Sequence, residues 1–307
     1  MDPRKTLESE IDAVLERIVP AVLEVDWKSL HALLTGMRRS KLTGPGYDFD
    51  RIKEFDPDSD DPRTIMQAAT AATGGQQVFA KVTYGLREIP IYVLVDVNKT
   101  LEFGTTRATK LRLCAELAAS VIAAAEETHD RVGFMAYSNN NVHTYARLNA
   151  PSRVMFEALS TILRPPSSDG AQDSGLDQAL AMLPHKRSLV FIISDFLNLT
   201  QAQKEALSDA GAVHDIVALV VQDKRERELP DTWGRLDIQD LRSGKRKTVW
   251  LTRANRRKYA EAFADHQRKL ADFFGTNLIR HLTVSTEEGD RVIPRLLELF
   301  STPGYAS

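Results

Sequence analysis

Three oxygen-bearing side chains occupy alternate positions in Asp96-Val97-Asn98-Lys99-Thr100, directly after an apolar run. A second apolar run, Ser188 to Ile193, ends in another polar pair, Ser194-Asp195. Carboxylates, an amide carbonyl and hydroxyls are the hard donors that Mg²⁺ prefers, and a partly filled shell leaves positions for water or an incoming carboxylate. Two carboxylates that meet need a counter-charge, because at about 4 Å and an effective dielectric near 20 they repel by about 4 kcal/mol. A divalent ion is the natural candidate. Lys99, inside the first motif, is a metal-free alternative.

The elements that must position these groups can be read from hydrophobic patterning. Ile89 to Val97 and Ser188 to Ile193 are too short to cross a bilayer as helices, for which roughly 18 residues are needed, and they read as buried strands. If the backbone stays extended past Asp96, alternation turns Asp96, Asn98 and Thr100 to one side. If the two strands are parallel, Asp195 lies at the same carboxyl edge, where open α/β sheets bind ligands. Further strands are expected over 131–137, 142–147, 215–221 and 278–284. Longer amphipathic stretches separate them, the rhythm of a mostly parallel central sheet with helices on both faces. One such helix, Lys110 to Glu127, carries Leu111, Cys114, Ala115, Ala118, Val121, Ile122 and Ala125 on one stripe and is expected to be buried. Polar punctuation over 224–249 suggests an inserted hairpin or loop.

Ahead of this domain, taken as 89–301, residues 1–40 show helical spacing interrupted near Pro20. Residues 41–88 read as an irregular, β-rich segment that precedes the α/β domain and is not a domain of its own. The 307 residues carry 40 Lys and Arg against 42 Asp and Glu, a balance that does not mark a dedicated nucleic-acid or membrane-surface binder. The single cysteine, Cys114, cannot form an intrachain disulfide, and the dispersed histidines make no zinc motif. The amino terminus is charged where a signal peptide would be apolar, so a cytoplasmic location is expected. The chain contains no P-loop, dinucleotide fingerprint or serine-hydrolase elbow.

The first motif resembles the D-x-S-x-S of the metal-ion-dependent adhesion site in von Willebrand factor A domains, and Asp195 resembles that site's third motif, an Asp ending the fourth strand. The resemblance implies a loop hydroxyl as the second motif, for which Ser174 in Asp173-Ser174-Gly175-Leu176 is the best match. It widens to a bacterial family, domain of unknown function 58. Phe55-Asp56-Pro57-Asp58-Ser59-Asp60-Asp61-Pro62-Arg63-Thr64-Ile65 is similar to that family's Y-x-P-G-D-D-x-R-x-I-D-W, and Phe103-Gly104, Asp130-Arg131-Val132-Gly133, Ile193-Ser194-Asp195-Phe196 and Arg225 to Pro230 match further. The likeness spans roughly 34–300. The departures are Asn98 and Thr100 for the two serines, the charge of Lys99, and Met66-Gln67 after Ile65 where the family has its Trp.

The resemblance implies a von Willebrand factor A-like domain that serves as a protein-binding adaptor for a MoxR-type AAA+ ATPase in a chaperone-like system. Asp96, Asn98, Thr100, Ser174 and Asp195 would then hold Mg²⁺. No catalytic residue is assigned. Two alternatives are kept: metal-assisted hydrolysis or phosphoryl transfer at Asp96 and Asp195, and nucleic-acid binding by the basic stretch 242–258, which holds eight Lys or Arg and no acid. That stretch is expected to cross a strand and a helix, scattering its charges.

Overall fold

A computed structural model describes residues 3–23, 43–57, 62, 65–74, 77–84, 90–105, 109–127, 130–139, 141–166, 175–239 and 246–288. In chain order the elements are α1 (Pro3–Leu23), β1 (Thr43–Glu54), α2 (Gln67–Ala72), β2 (Phe79–Tyr84), β3 (Ile91–Asp96), α3 (Lys110–Glu127), β4 (Val132–Tyr137), β5 (Val142–Asn149), α4 (Pro151–Leu163), α5 (Gly175–Ala181), β6 (Leu189–Ser194), α6 (Gln201–Val213), β7 (Asp215–Gln222), α7 (Lys224–Arg227), β8 (Arg235–Gln239), β9 (Arg246–Trp250), α8 (Arg253–Thr276) and β10 (Arg280–Ser285).

The chain divides into two compact units, residues 31–88 and residues 1–30 with 89–307. In the smaller unit β1 and β2 pair antiparallel with irregular register, and Ile65 bridges to Ala80. The N-terminal helix belongs to the larger unit, where α1 packs on α3 and α4. That helix runs without a break to Leu23, so Pro20 does not interrupt it. Pro20 falls in the last turn, where the backbone bond it removes is one of the last in the helix. The boundary expected at 40/41 and the final helix expected around Pro294 lie outside the described residues.

The larger unit is built on a six-stranded sheet of order β10-β7-β6-β3-β4-β5, parallel throughout except for the antiparallel edge strand β5. Each expected strand is present. Strands β3, β4 and β6 are buried at every position, which explains why they read as unbroken apolar runs and not as alternating ones. On one face Leu94, Met135, Ile192 and Val220 pack with Leu180 of α5, Leu207 of α6, and Leu270 and Phe274 of α8. The intervening residues turn to the other face, against which α3 packs on β3, β6 and β7. Fully burying one such side chain contributes about 1.5–3 kcal/mol, so both apolar layers are needed to hold the sheet.

Chain order fixes where a site can form. From β3 the chain moves outward to β4 and β5, then returns through α4 and α5 to place β6 on the opposite side of β3. The β3/β6 boundary is thus the switch point of the sheet, the place where the crossovers part and leave a crevice at the carboxyl ends. The polar stretch after β7 supplies α7 and a two-stranded hairpin, β8–β9.

Candidate functional site at the carboxyl edge

Register carries Asp96 and Asp195 to this crevice. Val95 pairs with Ile193 in the parallel β3–β6 ladder, so Asp96 and Ser194 are neighbours one step on, and Asp195 follows. Both acids are buried, whereas the sequence reading expects an open polar edge.

Asp96 is surrounded by hydrogen-bond donors of the chain itself. Its Oδ1 accepts from the Asn98 backbone N–H at 2.9 Å and from Asn98 Nδ2 at 2.6 Å, while Oδ2 accepts from Ser194 Oγ at 2.7 Å. Burial, with the charge of Asp195 added, pushes the Asp96 carboxyl up to about 7 although the bonds from Ser194 and Asn98 pull the other way. Asn98 is held at both ends of its amide, since its Oδ1 accepts from the Asn139 backbone N–H at 2.9 Å.

Asp195 faces Lys110, the first residue of α3. Lys110 is fully buried, and its Nζ donates to Asp195 Oδ2 at 2.8 Å and to Glu226 Oε1 at 2.5 Å. Burial opposes charge on Lys110, but Asp195 and Glu226 outweigh it and hold the ammonium above the ordinary lysine value. Glu226 belongs to α7, where it completes a capping box: Asp223 accepts from the Arg225 N–H, and Glu226 Oε2 accepts from the Asp223 N–H. Asp223 itself is fully buried and also accepts from Thr105 N and Oγ1 and from Thr286 Oγ1.

The turn after Asp195 is sharp. Phe196 takes φ 48°, a left-handed backbone that costs a residue with a Cβ about 1–2 kcal/mol. The strain is offset by the Phe196 N–H bond to Ser194 Oγ at 3.1 Å, the Leu197 N–H bond to Asp195 Oδ1 at 3.3 Å, and the Phe196 ring standing edge-on to Phe274 at 5.4 Å.

Of the expected ligands, Asp96, Asn98 and Asp195 meet at this edge. Thr100 does not follow the alternation: the backbone is extended only through Asn98 and then coils into a 3₁₀ turn, Lys99–Glu102, that draws Leu101 fully into the core. Ser174 lies outside the described residues. Its neighbour Gly175, at the start of α5, donates its N–H to the Asn139 carbonyl. The cation paired with Asp195 is Lys110, and Lys99 is exposed. Lys110 reads in sequence as the solvated first residue of a helix, and Glu226 as one charge in a charged run. The spacing Asp223-x-x-Glu226 is a linear signal for part of this network, as a capping box.

These residues do not fit a hard cation. The Asn98 carbonyl is turned away to Asn139, its amide N–H₂ points at Asp96, Ser194 donates to Asp96, and an ammonium stands on Asp195. Among the described residues no group of three His, Cys, Asp or Glu converges as a metal cluster. Cys114 is buried and its thiol is pushed well above the ordinary range by burial, in keeping with a packing role.

The basic stretch is dispersed as expected. Arg246 and Lys247 are consecutive on β9 and turn to opposite faces, Arg256 pairs with Asp231, and Arg257 pairs with Glu261. Arg242 and Lys245 lie outside the described residues.

A mostly parallel six-stranded sheet with one antiparallel edge, helices on both faces and acids at the carboxyl ends of its switch-point strands defines a von Willebrand factor A-like α/β domain. The chain belongs to the family described as "Protein of unknown function DUF58", which it matches over residues 52–269. It is 28% identical over 273 residues to the uncharacterized protein Rv1480 of Mycobacterium tuberculosis, spanning 88% of this chain and 84% of that protein. Uncharacterized protein Mb1516 of Mycobacterium bovis matches to the same extent. Among solved structures, the conserved hypothetical protein BatB from Bacteroides thetaiotaomicron is similar at a TM-score of 0.43 and 12% identity, over 70% of this chain and 100% of that one. A von Willebrand factor type A structure from Catenulispora acidiphila is similar at a TM-score of 0.37 and 10% identity, over 73% of this chain and 43% of that one. Among the described residues no helix is long and apolar enough to cross a membrane.

Proposed function

We propose that the chain is a non-catalytic protein-binding adaptor of the cytoplasm that works with a MoxR-type AAA+ ATPase in a chaperone-like system and presents the β3/β6 edge to its partner. The observation that carries this reading is the engagement of both edge carboxylates by donors of the chain itself: Asp96 by Asn98 and Ser194, and Asp195 by Lys110. A general base or nucleophile needs a lone pair aimed at substrate, and these are aimed at internal partners. The rim around them, with Lys99 and Asn198 exposed and Asn98, Thr100 and Leu197 half-buried, is a mixed polar and apolar surface of the kind used for recognition.

The test is co-purification of the full chain with a MoxR-type ATPase from the same cell, compared with a variant carrying Lys99→Glu and Asn198→Arg on the rim. Capture by the native chain and its loss in the variant supports the reading. Metal-dependent turnover of phosphate esters or phosphodiesters, abolished by Asp96→Ala, would replace it with the enzymatic one.

A further inference from the structure

We infer that Lys110 is the resident cation of the carboxyl edge, an ammonium built into the chain in the role that a divalent ion fills in an adhesion-type site, and that the edge consequently takes up no Mg²⁺ or Mn²⁺.

Three relationships carry this. First, the side chain of Lys110 is fully excluded from solvent, yet its Nζ bonds to two carboxylates from different elements, Asp195 after β6 and Glu226 in α7. A buried lysine with two acidic partners is a counter-ion in its own right, and an ion placed beside it would meet a like charge in a poorly screened setting. Second, Asn98 and Ser194, which flank Asp96, are already turned to other tasks. Asn98 offers Asp96 its N–H₂ and gives its carbonyl to Asn139, and Ser194 gives Asp96 its hydroxyl proton. A hard cation needs oxygen lone pairs, and this shell supplies protons. Third, Lys110 is tied into the frame on both sides. It is the first residue of α3, and Glu226 passes the connection to the Asp223 N–H at 3.1 Å. The ammonium therefore joins the ends of α3, β6 and α7 in a way that a dissociable ion would do only while bound.

The inference does not depend on the adaptor reading: a chain that captured no ATPase would leave it intact. Its test begins with calorimetric titration of the full native chain with MgCl₂ and MnCl₂ and with the thermal unfolding midpoint in each salt. No saturable heat and an unchanged midpoint are expected, whereas saturable binding that Asp96→Asn abolishes overturns the inference. A second arm needs no variant. Amine-directed labelling of the folded protein, read by mass spectrometry, is expected to spare Lys110 while modifying exposed Lys99, and equal labelling of the two overturns it. In a third arm Lys110→Met is expected to lower the unfolding midpoint by about 10 °C. Combining it with Asp195→Asn should cost much less than the sum of the two single changes, and strict additivity counts against the pair.

Discussion

Ser194 Oγ donates to Asp96 Oδ2 at 2.7 Å across two parallel strands, and both residues are buried. The same Oγ accepts from the Phe196 N–H, so one hydroxyl serves the carboxylate and the strained turn together. Ser194→Ala leaves a buried acceptor and a buried donor without partners. A loss of about 1–3 kcal/mol is expected by denaturant unfolding. Ser194→Thr keeps the hydroxyl and should recover part of that loss.

Gly175 starts α5 so close to the β4–β5 turn that a Cβ built there would stand 1.7 Å from the Ser138 carbonyl oxygen. Gly175→Ala must push the helix start away from that backbone. The expected cost is about 1–3 kcal/mol, the range for overpacking. Amide-proton exchange should rise in α5 and around Ser138 and remain unchanged in β7.

Acid sensitivity should trace to Asp223. Burial would raise this carboxyl, but the bonds from Thr105, Arg225 and Thr286 prevail and hold it below the ordinary aspartate value. The unfolded chain therefore takes up the proton first as pH falls. The stability Asp223 supplies is whole above about pH 4, the unfolded value, and is lost as pH drops through the lower folded value. Unfolding midpoints measured from pH 7 down to pH 3 should fall more steeply for the native protein than for Asp223→Asn, which should be less stable at pH 7.

Trp233, just before β8, and Phe274, in α8, separate surface from core effects. Trp233 is 87% exposed and Phe274 is fully buried. Trp233→Ala should change stability by no more than about 0.5 kcal/mol, against about 3–5 kcal/mol for Phe274→Ala in the same denaturant titration.

Scattered cations should give no salt-sensitive nucleic-acid binding. Retention of the native chain on single-stranded DNA at low salt should match that of a variant with Arg246, Lys247, Arg256 and Arg257 neutralised. Steep loss of retention with added salt, specific to the native chain, would restore the nucleic-acid reading.

How far the sequence reaches is clearest at the edge itself. Asp96 and Asp195 were legible because each ends a strand buried on both faces, and such strands announce themselves as unbroken apolar runs whose ends align in a parallel sheet. Alternation does not carry Thr100 to the edge, because it holds only while the backbone stays extended, and a 3₁₀ turn that buries Leu101 ends that extension at Asn98. Lys110 is hidden in the sequence for a different reason. Linear order puts it at the head of an amphipathic helix, where a lysine reads as solvated, and only the crossing of α3 over the ends of β6 and β7 brings it to Asp195 and Glu226. The need for a positive charge was visible from the two acids, but its source was not, because contacts between distant chain positions leave no periodic trace.

Asp223 also bears on how the molecule comes apart. Its carboxylate gathers strands of chain that leave the sheet after β3, β7 and β10, through Thr105, Arg225 and Thr286. Loosening any one of these exits strips a bond from a group that the other two share. Thr105, Arg225 and Thr286 thus share a single anchor, and a disturbance at one of them reaches the other two through it.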